Sequence, residues 1–504
     1  MWVLIIAIVF VSVFYTIISK VKNYDLEQLK KHYSHDLPTI PFLGLSYLAV
    51  GDNEVRMRSL QTIGLAAIRR GGVIAEWFGP SLYLIVADPE IATFILKSCS
   101  DKDDVLPKIL GSLLGNGILV AQVPIWRTRR KNLVPTFNMK NLNKFVYIFT
   151  KHSEIMSEKL MSMVGTGPFS IFNHFAAYNM DSVSESVLGI TLNAQEKSGH
   201  PFVEAFTEGF NLTSARMSQY WLYNDYVYRC VPSYKKLMRA KKVMVDFVKD
   251  IIVSKRKSIK EDRNQNSTDA ESITKSFLDM LIESSGGEEG YSDEELRDEL
   301  MVLLVASIGT SAAGVGFTLI MLARHPEVQD KLYAELNEVF EGTCRSVTPE
   351  DLSRMKYLEI VIKESLRLYP PAPAVLRKVV KSLTLPTGVT VPAGCNVLIN
   401  IWGIHHNYEY WGADAEQYRP ERFLEGSFKH PSQYMPFSYG PRNCPGYQYA
   451  LMSIKTTLAT LLRRYRVLPP TDGDQFPPLR TSLEITLADA ENFLIRLEPR
   501  QNIE

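Results

Sequence analysis

Cys444 lies in the run Phe437-Ser438-Tyr439-Gly440-Pro441-Arg442-Asn443-Cys444-Pro445-Gly446, a loop that opens directly into an apolar helix. A thiolate at a helix N-terminus is stabilised by unpaired backbone N–H groups and by the helix dipole. A lone soft anion of this kind suits iron. Gly440 allows a turn closed to residues with a Cβ, and Gly446 leaves room for a flat cofactor to lie against the backbone. Arg442 offers a rigid positive fork for a carboxylate on such a cofactor. Single cysteines are more often small buried apolar residues, so these residues alone leave two readings open, metal ligand or core cysteine.

Three further groups carry chemistry. Trp126 and Arg130 share one helical face and together can hold an anion, although an ordinary basic amphipathic helix has the same pattern. Arg127, Arg129, Lys131, Lys140 and Lys144 add a positive surface suited to steering an acidic partner, or simply a solvated face. Thr310, with Ser307, Ser311, Gly309, Gly314 and Gly316 around it, places a hydroxyl on a helix face that backbone or a flat ligand can approach closely. Glu364 and Arg367 meet at i, i+3, which by itself is a surface pair, and Arg422 in Pro420-Glu421-Arg422-Phe423 supplies a second guanidinium downstream.

The elements that must position these groups are mostly helical. Ser292 with Glu295 forms a capping box that opens a helix running to Arg324, where His325-Pro326 stops it. Such a helix extends about 50 Å at 1.5 Å per residue. No charged residue falls between Met301 and Ala323. Length alone would make it a membrane span, but its glycine- and hydroxyl-bearing face and charged first turn favour the central strut of a large domain. Asp88-Pro89 and Thr348-Pro349 read as N-cap and first-turn proline of two more helices, the second continuing to Tyr369. Residues 73–87 alternate as a hairpin turning at Gly79-Pro80, residues 389–400 form a strand pair turning at Pro392-Ala393-Gly394, and residues 482–499 a terminal hairpin whose turn reaches the pocket. From 145 to 255 the pattern is helical with breaks near 165–168 and 199–201. Phe202 to Trp221 is aromatic and apolar, as core, as a lid or as a membrane-facing surface. Lys255 to Ser272 is polar and reads as a flexible loop.

The first 19 residues carry no charged side chain, and Lys20, Lys22, Lys30 and Lys31 follow. This predicts an uncleaved membrane anchor at 1–19, a basic and proline-rich linker at 20–44, and a body at 45–504 on the cytosolic side. Lys+Arg 56 against Asp+Glu 55 gives a net charge of +1, so composition gives no sign of a nucleic-acid-binding protein. The cysteines at 99, 230, 344, 395 and 444 are odd in number and scattered, which fits a reducing compartment rather than a disulfide framework.

The cysteine loop matches F-x-x-G-x-R-x-C-x-G at every fixed position and resembles the haem-thiolate signature of the cytochrome P450 superfamily. The proline hinge, W-x-x-x-R, the threonine helix, E-x-x-R and P-E-R-F occur in the family's order, most similar to animal microsomal members of the family-4 clan. The resemblance implies a mainly α fold with a small β-rich lobe, haem b between the lobes and an N-terminal anchor. It implies Cys444 as the iron ligand, and Trp126, Arg130, Arg377, Phe437, Arg442 and Gly446 as cofactor-binding. Thr310 becomes the catalytic hydroxyl, and Glu364, Arg367 and Arg422 a buried triad that holds the cysteine loop. Ala306-Ser307-Ile308-Gly309-Thr310-Ser311 departs from the family's [A/G]-G-x-[D/E]-T-[T/S]: Gly309 replaces the acid. Ala306 stands where some family-4 members carry a glutamate esterified to haem, so the haem is expected to be non-covalent. The implied function is monooxygenation of a lipophilic molecule, with electrons from an NADPH-cytochrome P450 reductase, aided by cytochrome b5, at the endoplasmic reticulum membrane. An isomerase or dehydratase of an oxidised lipid, and a haem ligand-binder without turnover, are the alternatives.

Overall fold

The computed structural model describes residues 23–41, 43–197, 199–264, 274–284, 290–426, 428–473, 476 and 478–500. The expected anchor at 1–19 and part of the linker lie outside them. The principal helices, in chain order, are α1 (Asn53–Arg69), α2 (Pro89–Ser98), α3 (Val105–Leu114), α4 (Val123–Leu133), α5 (Met139–Leu160), α6 (Ile171–Val183), α7 (Pro201–Met217), α8 (Pro232–Asn264), α9 (Asp293–Arg324), α10 (Lys356–Leu368), α11 (Ile401–His406) and α12 (Tyr447–Arg464). The strands are β1 (Val73–Phe78), β2 (Ser81–Val86), β3 (Phe169–Ser170), β4 (Ala374–Lys378), β5 (Leu383–Thr384), β6 (Thr390–Val391), β7 (Asn396–Asn400), β8 (Tyr465–Leu468), β9 (Thr481–Leu483), β10 (Leu487–Asp489) and β11 (Leu494–Pro499). The fold is mainly α with small sheets.

α9 organises the helical part. Its start is a complete capping box: Glu295 N–H donates to Ser292 Oγ at 3.2 Å, and Ser292 N–H to Glu295 Oε2 at 3.0 Å. Such a cap stabilises a helix by about 1 kcal/mol. Helices α6, α8, α10 and α12 pack around it. Two glycines make that packing close. A Cβ on Gly314 would lie 3.0 Å from Ile454 Cδ1 of α12, and one on Gly316 would lie 2.5 Å from Phe493 Cδ1. The helix is long and apolar enough to cross a membrane, but its sides are taken by protein. Asp88 caps α2 as its sequence predicts, accepting from Ile91 N–H at 2.8 Å with Pro89 in the first turn.

The β1–β2 hairpin turns at Gly79-Pro80 and extends into a four-stranded sheet of order β1-β2-β7-β4, in which β2 and β7 run parallel. This corrects one expectation. Strand β6 pairs with β5 and strand β7 with β2 and β4, so residues 389–400 contribute to two sheets instead of forming one hairpin. The C-terminal hairpin is shorter than expected. It comprises β9 and β10, whereas β11 joins β3 and β8. α8 continues to Asn264, so the polar run that begins at Lys255 is helical that far, and Lys255 and Arg256 tie it to Asp279 and Asp293. The remainder of that run, 265–272, is outside the described residues. The helix from Pro349 breaks at Met355 before α10 starts.

Candidate active site

The cysteine loop is held by its own backbone. Cys444 N–H donates to Phe437 carbonyl at 3.0 Å, Asn443 N–H to Gly440 carbonyl at 3.0 Å, and Ser438 N–H to Met435 carbonyl at 2.9 Å. Gly440 has φ +75° and passes so close to α2 that a Cβ would lie 2.5 Å from Leu96 carbonyl oxygen, so glycine is required on both counts. Ser438 also has positive φ, +62°, although it is not glycine, and its Oγ is buried without a partner. Backbone strain of this kind costs about 1–3 kcal/mol and collects at functional loops. Nothing in the serine's local sequence signals it.

Burial pushes the Cys444 thiol up, while a hydrogen bond involving Gly446 and the charge of Arg130 pull it down. The helix N-terminus therefore contributes as expected but does not outweigh desolvation. A metal cation held at the sulfur would supply the missing stabilisation.

The four positive groups around the loop divide into two kinds. Arg130, on α4, is occupied: it donates to Asn443 carbonyl at 2.7 Å and to the Asn443 side chain, binding helix to loop. Arg442 lies over the Trp126 ring at 4.4 Å and donates one bond, to Ala121 carbonyl at 2.9 Å. Its Nε and Nη1 are buried with no partner. Arg377, on β4, donates to Leu376 carbonyl at 2.8 Å and leaves its buried Nε without a partner. Burial lowers the pKa of both arginines to about 10, and Arg377 contributes to the shift of Arg442.

Lys102 joins them. It makes no hydrogen bond or ion pair among the described residues, and keeps some accessible surface although protein surrounds it. Burial, reinforced by Arg377 and Arg442, lowers its pKa to about 7. Sequence reasoning missed Lys102. It sits in an Asp-Lys-Asp-Asp run that reads as a solvated turn, and only the fold brings it to the arginines.

On α9, every residue from Asp298 to Ala323 is buried except Ala306, Ser307, Gly309 and Thr310. These four border an internal space. A Cβ on Gly309 would have only Thr486 Oγ1 at 3.8 Å and Phe210 Cζ at 3.9 Å nearby, from the β9–β10 turn and α7. The turn thus reaches the same space as Thr310. Thr310 Oγ1 donates to Ala306 carbonyl at 2.6 Å, which fixes its rotamer and leaves its lone pairs facing outward as acceptors.

The triad residues meet. Arg367 Nε and Nη2 donate to Glu364 at 2.7 and 2.8 Å, and Arg422 Nε to Glu364 Oε1 at 2.9 Å. All three are buried, so the surface-pair reading of E-x-x-R does not hold. Arg129 likewise leaves the expected positive surface: it is buried against Glu299 at 2.9 Å, while Arg127, Lys131 and Lys140 remain exposed. Phe437 is partly buried beside Tyr447, ring centroids 6.2 Å apart, and Gly446 caps α12 with Phe137 as its nearest neighbour.

The cytochrome P450 family model matches residues 43–495. Cytochrome P450 4d2 of Drosophila melanogaster is 32% identical over 92% of this chain and 93% of its own length. Cytochrome P450 4F8 of Homo sapiens and leukotriene-B4 omega-hydroxylase 3 of Mus musculus are each 32% identical over 84% of this chain and 82% of their own lengths. Fold, ordered motifs and relatives agree, and the chain belongs to the cytochrome P450 family, on its family-4 branch, as a haem-thiolate monooxygenase.

Proposed function

We propose that the chain holds haem b non-covalently through Cys444 and inserts one oxygen atom of dioxygen into a lipophilic small molecule: a fatty acid, a terpenoid or hormone, or a xenobiotic. The observation that carries this reading is the trio Arg377, Arg442 and Lys102, which converge beside the Cys444 loop with N–H groups lacking acceptors. The two propionates of haem are carboxylates whose charge and acceptor oxygens suit these three cations. A relative named for omega-hydroxylation of leukotriene B4 supports a lipid substrate.

Haem with a thiolate ligand supplies dioxygen activation when bound. The chain's residues do the rest. Arg377, Arg442 and Lys102 bind carboxylates, Trp126 supports Arg442 from below, and Arg130 fixes the loop through Asn443. Ala306 has no carboxyl for an ester link. Thr310 accepts a hydrogen bond from water in the space over α9. Gly309 puts no acid beside it, so protons arrive through water that Thr310 helps to orient. Electrons come one at a time from an NADPH-cytochrome P450 reductase, with cytochrome b5 as a second donor. Arg127 and Lys131, in the surface groove beside Pro441, offer the positive docking face. Residues 1–19 anchor the chain, 20–44 link it, and 45–504 form the catalytic domain at the cytosolic face of the endoplasmic reticulum.

NADPH consumption with the reductase, measured together with lipid oxidation under air, tests this. Coupled formation of a hydroxylated product is expected. Gly309 favours one second reading, a dioxygen-independent isomerase or dehydratase; conversion of a lipid hydroperoxide without NADPH, with no oxidation of unoxidised lipid, would replace the first reading with it.

A further inference from the structure

His405 lies outside every motif that carries the family resemblance, yet it connects two of the regions those motifs define. Its side chain is fully buried at the C-terminal end of α11. Arg367 grips it twice. The Arg367 guanidinium donates to His405 carbonyl at 2.8 Å, and His405 Nδ1 is 3.0 Å from Arg367 carbonyl. The other ring nitrogen, Nε2, is 2.9 Å from Met435 N–H. Met435 carbonyl in turn accepts Ser438 N–H, the residue held at positive φ, and Phe437 carbonyl accepts Cys444 N–H.

The partners decide the tautomer. A carbonyl only accepts, so Nδ1 carries the proton; a backbone N–H only donates, so Nε2 must be a bare acceptor. Burial, with His406 and Arg367 beside it, keeps the ring well below its usual pKa and therefore neutral. Tyr434 stacks on the ring at 5.6 Å with 17° between planes, and Trp411 meets it edge-on, which fixes its orientation. Each nitrogen thus makes one bond that the other cannot.

We propose that His405 is a positioning residue for the thiolate loop: it carries the rigidity of the Glu364–Arg367–Arg422 triad to Met435 and so sets where the Phe437–Cys444 segment sits. The proposal rests on the reading of Cys444 as the iron ligand. Without the Nε2 acceptor, Met435 N–H is a buried donor with nothing opposite, and the segment moves to find one.

The two bonds can be cut separately. His405→Asn reaches the position of Nδ1 and keeps the donor to Arg367 but leaves Met435 without an acceptor. His405→Gln reaches the position of Nε2 and restores that acceptor while giving up the bond to Arg367. The measurement is backbone hydrogen exchange of residues 430–446 and of α10 in the full-length, haem-loaded protein, with the reduced carbon monoxide spectrum of each sample. H405N is expected to exchange faster at 435–446, with α10 unchanged and the thiolate band near about 450 nm diminished. H405Q is expected to keep the band and the loop protection while the end of α10 loosens.

Native loop exchange in H405N, or exchange in the loop of H405Q faster than in the native protein, would overturn the proposal. Because the variants make opposite predictions for loop and α10, whichever of them folds decides it. If the native protein lacks the band while loop exchange responds as described, the positioning role stands and the assignment of Cys444 as ligand fails.

Discussion

Two buried cationic clusters flank the cysteine loop, and they are built in opposite ways. In the triad, Arg367 spends its donors on Glu364 and on the carbonyls of His405, Ala415 and Gln417, and Arg422 makes bonds to Glu364 and Asp414. In the cluster of Lys102, Arg377 and Arg442, buried N–H groups have no acceptor and the positive charges oppose one another. A saturated network holds the fold together whatever is bound. An unsaturated one costs stability in the empty protein and recovers it from an anionic ligand.

The largest expected effect follows from breaking the saturated side. Glu364→Gln leaves the buried Arg367 without a counter-charge and Arg422 with Asp414 alone, and is expected to cost about 3–5 kcal/mol, measured by urea unfolding with or without haem. Arg377→Met or Arg442→Met should do the reverse: haem-free stability unchanged or slightly raised, and haem affinity lowered by about 1.5–3 kcal/mol, or about 10- to 150-fold, in haem-transfer experiments. Equal destabilisation of the haem-free protein by both kinds of substitution would erase the distinction.

A pH experiment sharpens it. The Lys102 pKa falls from 10.5 to about 7 in the folded, haem-free protein. Between those values the unfolded chain binds the proton and the folded chain does not, so this group makes stability rise with pH from about 7 towards 10.5. Haem carboxylates beside Lys102 should flatten that slope, and Lys102→Met should abolish it. Unfolding midpoints of the haem-free, haem-loaded and variant proteins across this range are the check.

The smallest effect contrasts filled and open faces of α9. Gly316→Ala puts a methyl 2.5 Å from Phe493 and should cost about 1–3 kcal/mol. Gly309→Ala meets nothing closer than 3.8 Å and should gain up to about 1 kcal/mol from helix propensity. Thermal unfolding of the two variants separates them.

What could be seen in the sequence was what short range decides. Asp88 before Pro89, Ser292 with Glu295, and Gly79-Pro80 between alternating runs each specify local geometry, and the structure has all three. The four accessible residues of α9 between Asp298 and Ala323 include Gly309 and Thr310, which the helix's otherwise unbroken apolar run already set apart. Partners chosen at long range were hidden. Strand β7 prefers a parallel neighbour more than 300 residues upstream to the adjacent β6, because the buried Val397 and Ile399 complete the core under β2. Arg129 looks like its exposed neighbours until Glu299 on α9 takes it inward. Lys102 and His405 acquire their surroundings only through tertiary packing, and Ser438 carries its left-handed conformation in a residue type that does not advertise it.

The central claim is that Cys444 would hold the haem iron through its thiolate. The carbon monoxide difference spectrum of the reduced protein, native against Cys444→Ala at equal folded concentration, tests it most directly. The native protein is expected to show a band at about 450 nm that is absent from the variant. A correctly folded, haem-loaded native protein without that band, or a variant that keeps it, would contradict the account.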